Sequence, residues 1–234
     1  MRATLLTTAV LATLALATPA GAASVSFTGN SPTSGTFGNS YTTSSGGVGV
    51  RATAWSGSTA LSVPEQVYLG TYSSGLGVTN RFEGNGVANN SHVTDNIGSF
   101  DFVALTFSRA VTLTGITRNG FSVSGGASTD TDAWISYGEL NPAAGVAAQF
   151  AGFTSRGFEV AGGSGFGTAA AATTWLVGAS RLASDRDDGF KLGAVSFDVV
   201  APVPEPATWL SMILGFGLVG GVMRRRPRVG FAVA

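Results

Sequence analysis

The sequence predicts an all-β protein, a β-sandwich of jelly-roll type, on three observations. Glycine supplies 34 of the 234 residues, a composition that weakens helix interiors and favours tight turns. No stretch of the central region keeps a helical period of apolar residues. Short β-prone runs instead alternate with Gly, Asn, Ser and Asp, the pattern of many short strands joined by turns.

The expected strands are Ser24–Thr28, Val48–Trp55, Gln66–Tyr72, Phe100–Phe107, Val111–Thr117, Ala133–Tyr137, Phe158–Val160, Thr173–Val177 and Phe190–Val199. Ser108-Arg109-Ala110 separates two β-prone runs, so Phe100–Phe107 and Val111–Thr117 read as adjacent strands of a hairpin. Residues 28–47, rich in Gly, Ser, Thr and Asn, read as a long surface loop or meander. Asn141–Ala148 reads as a brief helix. No repeat of 20 to 50 residues is present.

The two ends carry a different composition. Arg2 precedes an apolar run from about Ala9 to Ala17, and Ala20-Gly21-Ala22-Ala23 follows. A basic start, a short apolar core and a small-residue exit describe a secretory signal peptide, with cleavage expected after Ala22 or Ala23. Near the other end, prolines at 202, 204 and 206 are followed by an uncharged stretch from Ala207 to Met223, then by Arg224, Arg225, Arg226 and Arg228. Seventeen residues are at the lower limit for a membrane helix, which takes about 20. Trp209 suits a membrane interface, and the arginines are expected to stay in the cytoplasm. The organisation read from the chain is thus a signal peptide over 1–22, a β-sandwich body over 23–200, a Pro-rich stalk over 201–206, a single membrane helix over 207–223 and a basic cytoplasmic tail over 224–234.

Charge and cysteine usage exclude several functions. Between residues 23 and 203 there are 8 basic and 12 acidic residues. A mildly acidic body does not suit nucleic acid, which calls for a basic face. With no cysteine, disulfides, thiolate metal sites and cysteine nucleophiles are absent.

Pro204-Glu205-Pro206, two residues, Trp209, a Gly-rich apolar helix and the cluster Arg224-Arg225-Arg226 together resemble the PEP-CTERM sorting signal in its PEPxxW subtype. The resemblance covers about 25 residues, with six residues, Val229–Ala234, after the arginines. It implies recognition by an exosortase, a membrane-embedded transpeptidase-like enzyme of Gram-negative bacteria that make extracellular polysaccharide. It also implies export through signal peptidase and the general secretion machinery, passage through the inner membrane, and a final place at the cell surface or in the extracellular matrix. A plain membrane anchor on a proline stalk is the alternative reading of the same residues.

In the body, Gly75-Leu76-Gly77-Val78, His92-Val93-Thr94-Asp95-Asn96, Asp101–Phe107, Asp130-Thr131-Asp132 and Asp187–Leu192 resemble a pattern of exosortase-dependent surface proteins. That resemblance implies a β-sandwich and no catalytic activity.

Of chemistry-bearing residues, Ser91, His92 and Asp95 lie too close in sequence for a triad, whose members converge from separate elements, and no Gly-x-Ser-x-Gly elbow is present. Glu83, Asp95 and Asp101 are near one another in sequence, as are Asp130 and Asp132, and Asp185, Asp187 and Asp188. Paired carboxylates of this kind serve glycosidases when a cleft separates them suitably. A calcium ion, which takes six to eight oxygens, is the better fit, with Asp95, Asp101, Asp130 and Asp132 as expected ligands. Trp55, Trp134, Tyr68, Tyr72 and Tyr137 are the candidates for stacking on sugars. The expected function is non-enzymatic: a structural or adhesive surface protein, with a carbohydrate-binding module for exopolysaccharide as alternative and a secreted glycan hydrolase as the third reading.

Overall fold

In a computed structural model, the residues described are 21–32, 36–57, 64–83, 92–123, 130–141, 143–145, 148–159, 170–181, 187–200 and 206–224. The signal-peptide expectation over 1–22 therefore falls almost wholly outside them. The body, Ala20–Val200, is one compact unit, and the two ends of the chain group separately.

The body is all-β, as expected. Its strands are β1 (Ala22–Ser26), β2 (Ser40–Ser45), β3 (Val48–Gly57), β4 (Glu65–Gln66), β5 (Tyr68–Tyr72), β6 (Gly75–Thr79), β7 (Thr94–Asp95), β8 (Phe100–Gly120), β9 (Ala133–Gly138), β10 (Thr154–Glu159), β11 (Ala172–Ala179) and β12 (Gly189–Val199). Pairing links all twelve in a single antiparallel sheet, with β10-β9-β11-β8-β12-β6-β5 as its longest path. The division into two separate sheets that the jelly-roll expectation requires is not what this pairing gives.

The reason lies in β8. The expected hairpin at Ser108-Arg109-Ala110 is a continuous strand of 21 residues. Its first half pairs with β3, from Phe100↔Gly57 to Phe107↔Val50, and with β11. Its second half pairs with β12, from Val111↔Val199 to Gly120↔Phe190. Ser108 and Arg109 are exposed where the strand changes partners, so polar residues there mark a handover and not a turn.

Alternation along the first half of β8 explains the core. Val103, Leu105 and Phe107 join a large cluster with Trp175, Phe190, Leu192, Val195 and Phe197, to which β1, β3, β5, β6, β9, β11 and β12 all contribute. Phe100, Phe102 and Ala104 point the other way, into a smaller cluster with Trp55, Trp134, Phe150 and Leu176. Successive side chains of a strand face opposite sides, and here both sides are covered. The segment 141–148, expected as a brief helix, is irregular among its described residues, and the turn that follows it places Phe150 edge-on to Trp55 and Phe102, with centroids 4.9 and 5.4 Å apart.

The segment 28–47, expected as a loop, contains β2. Ser45 and Val48 are register partners around Gly46-Gly47, whose φ values are +56° and +73°. Two left-handed residues in a two-residue loop are a tight hairpin turn that Gly adopts without steric cost. Just before β2, the Asn39 side chain donates to the Leu69 carbonyl at 2.7 Å and accepts from the Leu69 N–H at 2.8 Å. One amide thus satisfies both backbone groups of an outer position on β5. Asn39→Asp keeps the shape but removes the donor, and is expected to lower stability by about 1–2 kcal/mol, read by chemical denaturation.

At the body's boundary the chain's entry and exit meet. β1 pairs with β12 from Ala22↔Asp198 to Ser26↔Ala194, and the Val199 N–H donates to the Gly21 carbonyl at 3.3 Å.

Separately, α1 (Pro206–Arg224) is a 19-residue helix. A helix was expected over 207–223 and is present. Among the described residues, however, no helix is long and apolar enough to cross a membrane. At 1.5 Å per residue α1 is about 28 Å long, short of a hydrocarbon core of about 30 Å, and Gly215, Gly217, Gly220 and Gly221 dilute its apolar surface.

Candidate functional site

Two features stand out: a polar cluster where β6, β7 and β8 meet, and the C-terminal helix with its flanks.

The polar cluster starts from glycine. Gly77 lies in the middle of β6, opposite Gly70 on β5. A Cβ at Gly77 would collide with the His92 carbonyl oxygen, stand 2.9 Å from its carbon and 3.4 Å from Lys191 Cε. The missing side chain lets the His92 backbone and the Lys191 stem lie directly on the strand. The His92 ring then stacks on Tyr72, with centroids 5.4 Å apart and planes 13° from parallel, and its Nδ1 lies 3.0 Å from Thr79 Oγ1. Lys191 Nζ sits 3.7 Å from the Phe121 ring centroid and 4.7 Å from that of Tyr72. Burial lowers the Lys191 pKa to about 8 and lowers that of His92 also, with the Lys191 charge as second cause. His92 is thus a buried, stacked residue. Ser91 lies outside the described residues.

On the adjoining side, Glu83, Asp95 and Asp101 each bring a carboxylate oxygen within 4.8 Å of the other two. β7 supplies Asp95, the start of β8 supplies Asp101, and the turn after β6 supplies Glu83. Asp101 is completely buried and Asp95 nearly so. Neutral groups surround them. Asn80 Nδ2 donates to Asp101 at 3.4 Å and to Ser99 Oγ at 2.9 Å, Ser99 Oγ donates to Asp101 at 3.4 Å, the Asn80 N–H donates to Glu83 at 2.9 Å, and the Ile97 N–H donates to Asp95 at 2.9 Å. Burial and mutual repulsion push Asp95 up to about 7 and Asp101 well above the usual carboxylate range, and burial raises Glu83. At neutral pH such a trio holds protons or a cation. An all-oxygen set fits a hard cation such as calcium.

Of the four expected calcium ligands, the structure brings Asp95 and Asp101 together and leaves Asp130 and Asp132 out. Asp130 forms an isolated bridge with Asp188 and accepts from the Asp132 N–H at 3.2 Å, a turn use of aspartate. Glu83 completes the trio instead, because the turn directly after β6, tied through Asn80 to both Glu83 and Asp101, sets it at the head of β8. Its place near Asp95 and Asp101 in sequence was the available signal. The expected sugar-stacking residues Trp55, Trp134, Tyr68 and Tyr72 are buried, and Tyr137 is half-buried in tilted contact with Trp175. Trp55 and Trp134 lie in the smaller core, Tyr137 packs on the larger, and none of the five is exposed.

At the C-terminus, Pro206 is the first residue of α1, where its missing N–H and fixed φ are tolerated. Trp209 is exposed, and Arg224 closes the last turn, the end at which a cation complements the helix dipole. Pro204, Glu205, Arg225 and Arg226 lie outside the described residues, as does Ala20, while Ala22 and Ala23 begin β1.

No curated protein and no solved structure matches the chain. A family model, the PEP-CTERM protein-sorting motif, matches residues 202–226. That span runs from the first proline of the stalk, through α1, to the third arginine of the cluster. The chain therefore carries a PEP-CTERM protein-sorting motif at its C-terminus, the mark of an exported protein directed to the cell surface through an exosortase.

Proposed function

We propose that this is a structural or adhesive protein of the cell surface or extracellular matrix, exported by its N-terminal leader and processed by an exosortase at its C-terminal motif. The observation that carries the reading is the match over residues 202–226, joined to a helix that begins at the motif's last proline and ends at its first arginine. Pro202, Pro204 and Pro206 each disfavour helix at the residue before them, so the sequence ahead of α1 favours an extended chain. An extended segment next to a helix is a substrate that a processing enzyme can take up as a strand. The helix holds the chain at the inner membrane only for the time that processing takes, its length falling short of a full span. The arginines stay inside because moving several cations across is costly.

Replacement of Pro204, Glu205 and Pro206 by Ala in a host carrying the exosortase is the direct test. Loss of C-terminal processing and retention of the precursor in the membrane fraction are expected, read by mass spectrometry of the mature chain's ends. Unchanged processing and location would defeat the proposal.

A further inference from the structure

We infer that two copies of this chain join edge to edge through β1, antiparallel and about a two-fold axis at Ser24, so that the sheet of one copy runs on into the sheet of the other. The ladder between β1 and β12 continues past both ends of β1. The Phe27 N–H donates to the Gly193 carbonyl at 2.8 Å, and the Val199 N–H donates to the Gly21 carbonyl at 3.3 Å. Hydrogen-bonded and non-hydrogen-bonded positions alternate in an antiparallel pair, and the register from Ala22↔Asp198 to Ser26↔Ala194 has no shift. Residues 21, 23, 25 and 27 therefore direct their backbone groups at β12. Ala22, Ser24 and Ser26 turn theirs the other way, and all three are exposed. Among the described residues β12 is the one strand with which β1 pairs.

A row of outward N–H and C=O groups is a template for another strand, and edges are ordinarily blunted by charge, proline or a covering group. This protein covers the edge of β5, where the Asn39 amide takes up both backbone groups of Leu69. β1 has no such cover. Its sequence, Ala22-Ala23-Ser24-Val25-Ser26, carries no charge and no proline.

The register of β1 names the occupant. A second β1 laid antiparallel on the first matches Ala22 with Ser26, Ser24 with Ser24 and Ser26 with Ala22. Each match brings together outward positions of both strands, which exchange two hydrogen bonds per pair. The side chains that meet on the exposed face are Ala and Ser, small and uncharged, so nothing resists a strand spacing of about 4.8 Å. On the other face Val25 belongs to the larger core and Ala23 packs against it, so the apolar side of the sheet continues across the axis. A partner recognised by charge has nothing on this strand to read. The contact is isologous and uses the β1 edge of both copies, so it closes at a dimer. Pairing of copies needs no exosortase and no step at the C-terminus, so it stands or falls apart from the sorting reading.

The test uses the full chain in detergent micelles, followed by sedimentation equilibrium with the detergent density-matched. We expect a dimer at about 100 μM. Ser24→Pro removes one outward N–H at a place where an edge strand tolerates proline. It is expected to weaken association about ten-fold or more and to leave the melting temperature of the dilute protein unchanged. Because the chain has no cysteine, a single introduced one reports position. Ser24→Cys is expected to give a disulfide-linked dimer under mild oxidation, since its counterpart lies about 5.5 Å away across the axis. Ser196→Cys, opposite Ser24 on β12, lies about 14 Å from its counterpart, three strand spacings away, and is expected to stay uncrosslinked. Both variants carry α1, so any association of that helix in the micelle affects them alike. A parent chain that remains monomeric up to about 1 mM would overturn the inference. So would a dimer that Ser24→Pro leaves unmoved, or crosslinking that is equal at Ser24 and Ser196. Should Ser24→Pro fail to fold, the two cysteine variants decide alone.

Discussion

Raising the pH from 5 to 8.5 in the presence of a chelator is expected to lower the melting temperature, by about 5 °C, a trend opposite to ordinary acid denaturation. Asp95 and Asp101 hold protons in the folded state that the unfolded chain, with an aspartate value of 3.8, has already released. A carboxyl raised on folding contributes stability that is complete below its unfolded value and is lost as pH rises through its folded one, here about 7 for Asp95. His92 and Lys191 are lowered on folding and act with the opposite sign, adding stability as pH rises through their windows. The difference between the parent chain and Asp101→Asn isolates the carboxylates. The amide imitates the protonated acid, so the variant should melt higher at pH 8 and show a flatter profile. If the trio holds calcium, the ion should restore the parent's loss at pH 8 and do nothing for Asp101→Asn. A melting temperature that climbs from pH 5 to 8.5 in both proteins would sink the account, and equal values in calcium and chelator would remove the ion.

The second large effect is at Gly77. Gly77→Ala places a methyl group against the backbone of His92, where no rotamer change can relieve the contact. Backbone must move, and β6, the stack of His92 on Tyr72 and the Lys191 stem move with it. A loss of about 3 kcal/mol is expected, read by urea denaturation. Asp95 follows His92 by three residues, so the variant should also lose part of the pH dependence described above. A loss below about 0.5 kcal/mol would show that the close approach is not needed.

Much of this was legible beforehand, and what was missed has physical causes. Strands β3, β9, β11 and β12 carry β-branched and aromatic runs and fell close to their expected bounds. β2, Ser-Tyr-Thr-Thr-Ser-Ser, carries almost no apolar signal; it is a strand because the Gly46-Gly47 turn folds it back on β3. β8 reads as two strands because its burial switches at Ser108, and only the pairing of β12 shows that the chain runs on. The carboxylates Asp95 and Asp101 were named from their loops, whereas Asp130 and Asp132 were indistinguishable from them by composition. The tail was the most legible part, since its order of prolines, tryptophan, apolar run and arginines is local and survives without any fold.

The pairing of β1 with β12 has a mechanical meaning. Were the processed chain held through its C-terminal end, as proposed above, every external pull would enter the body at Val199, the last residue of β12. That strand has nine paired positions on β8 and five on β1. For a pull along β12 their hydrogen bonds run across the load, so it shears many of them together and does not peel them one at a time. β1, the first strand in chain order and the one that pairs alongside the last, therefore acts as a clasp: until it has docked on β12, the body is free to fold, but it is not yet built to bear weight.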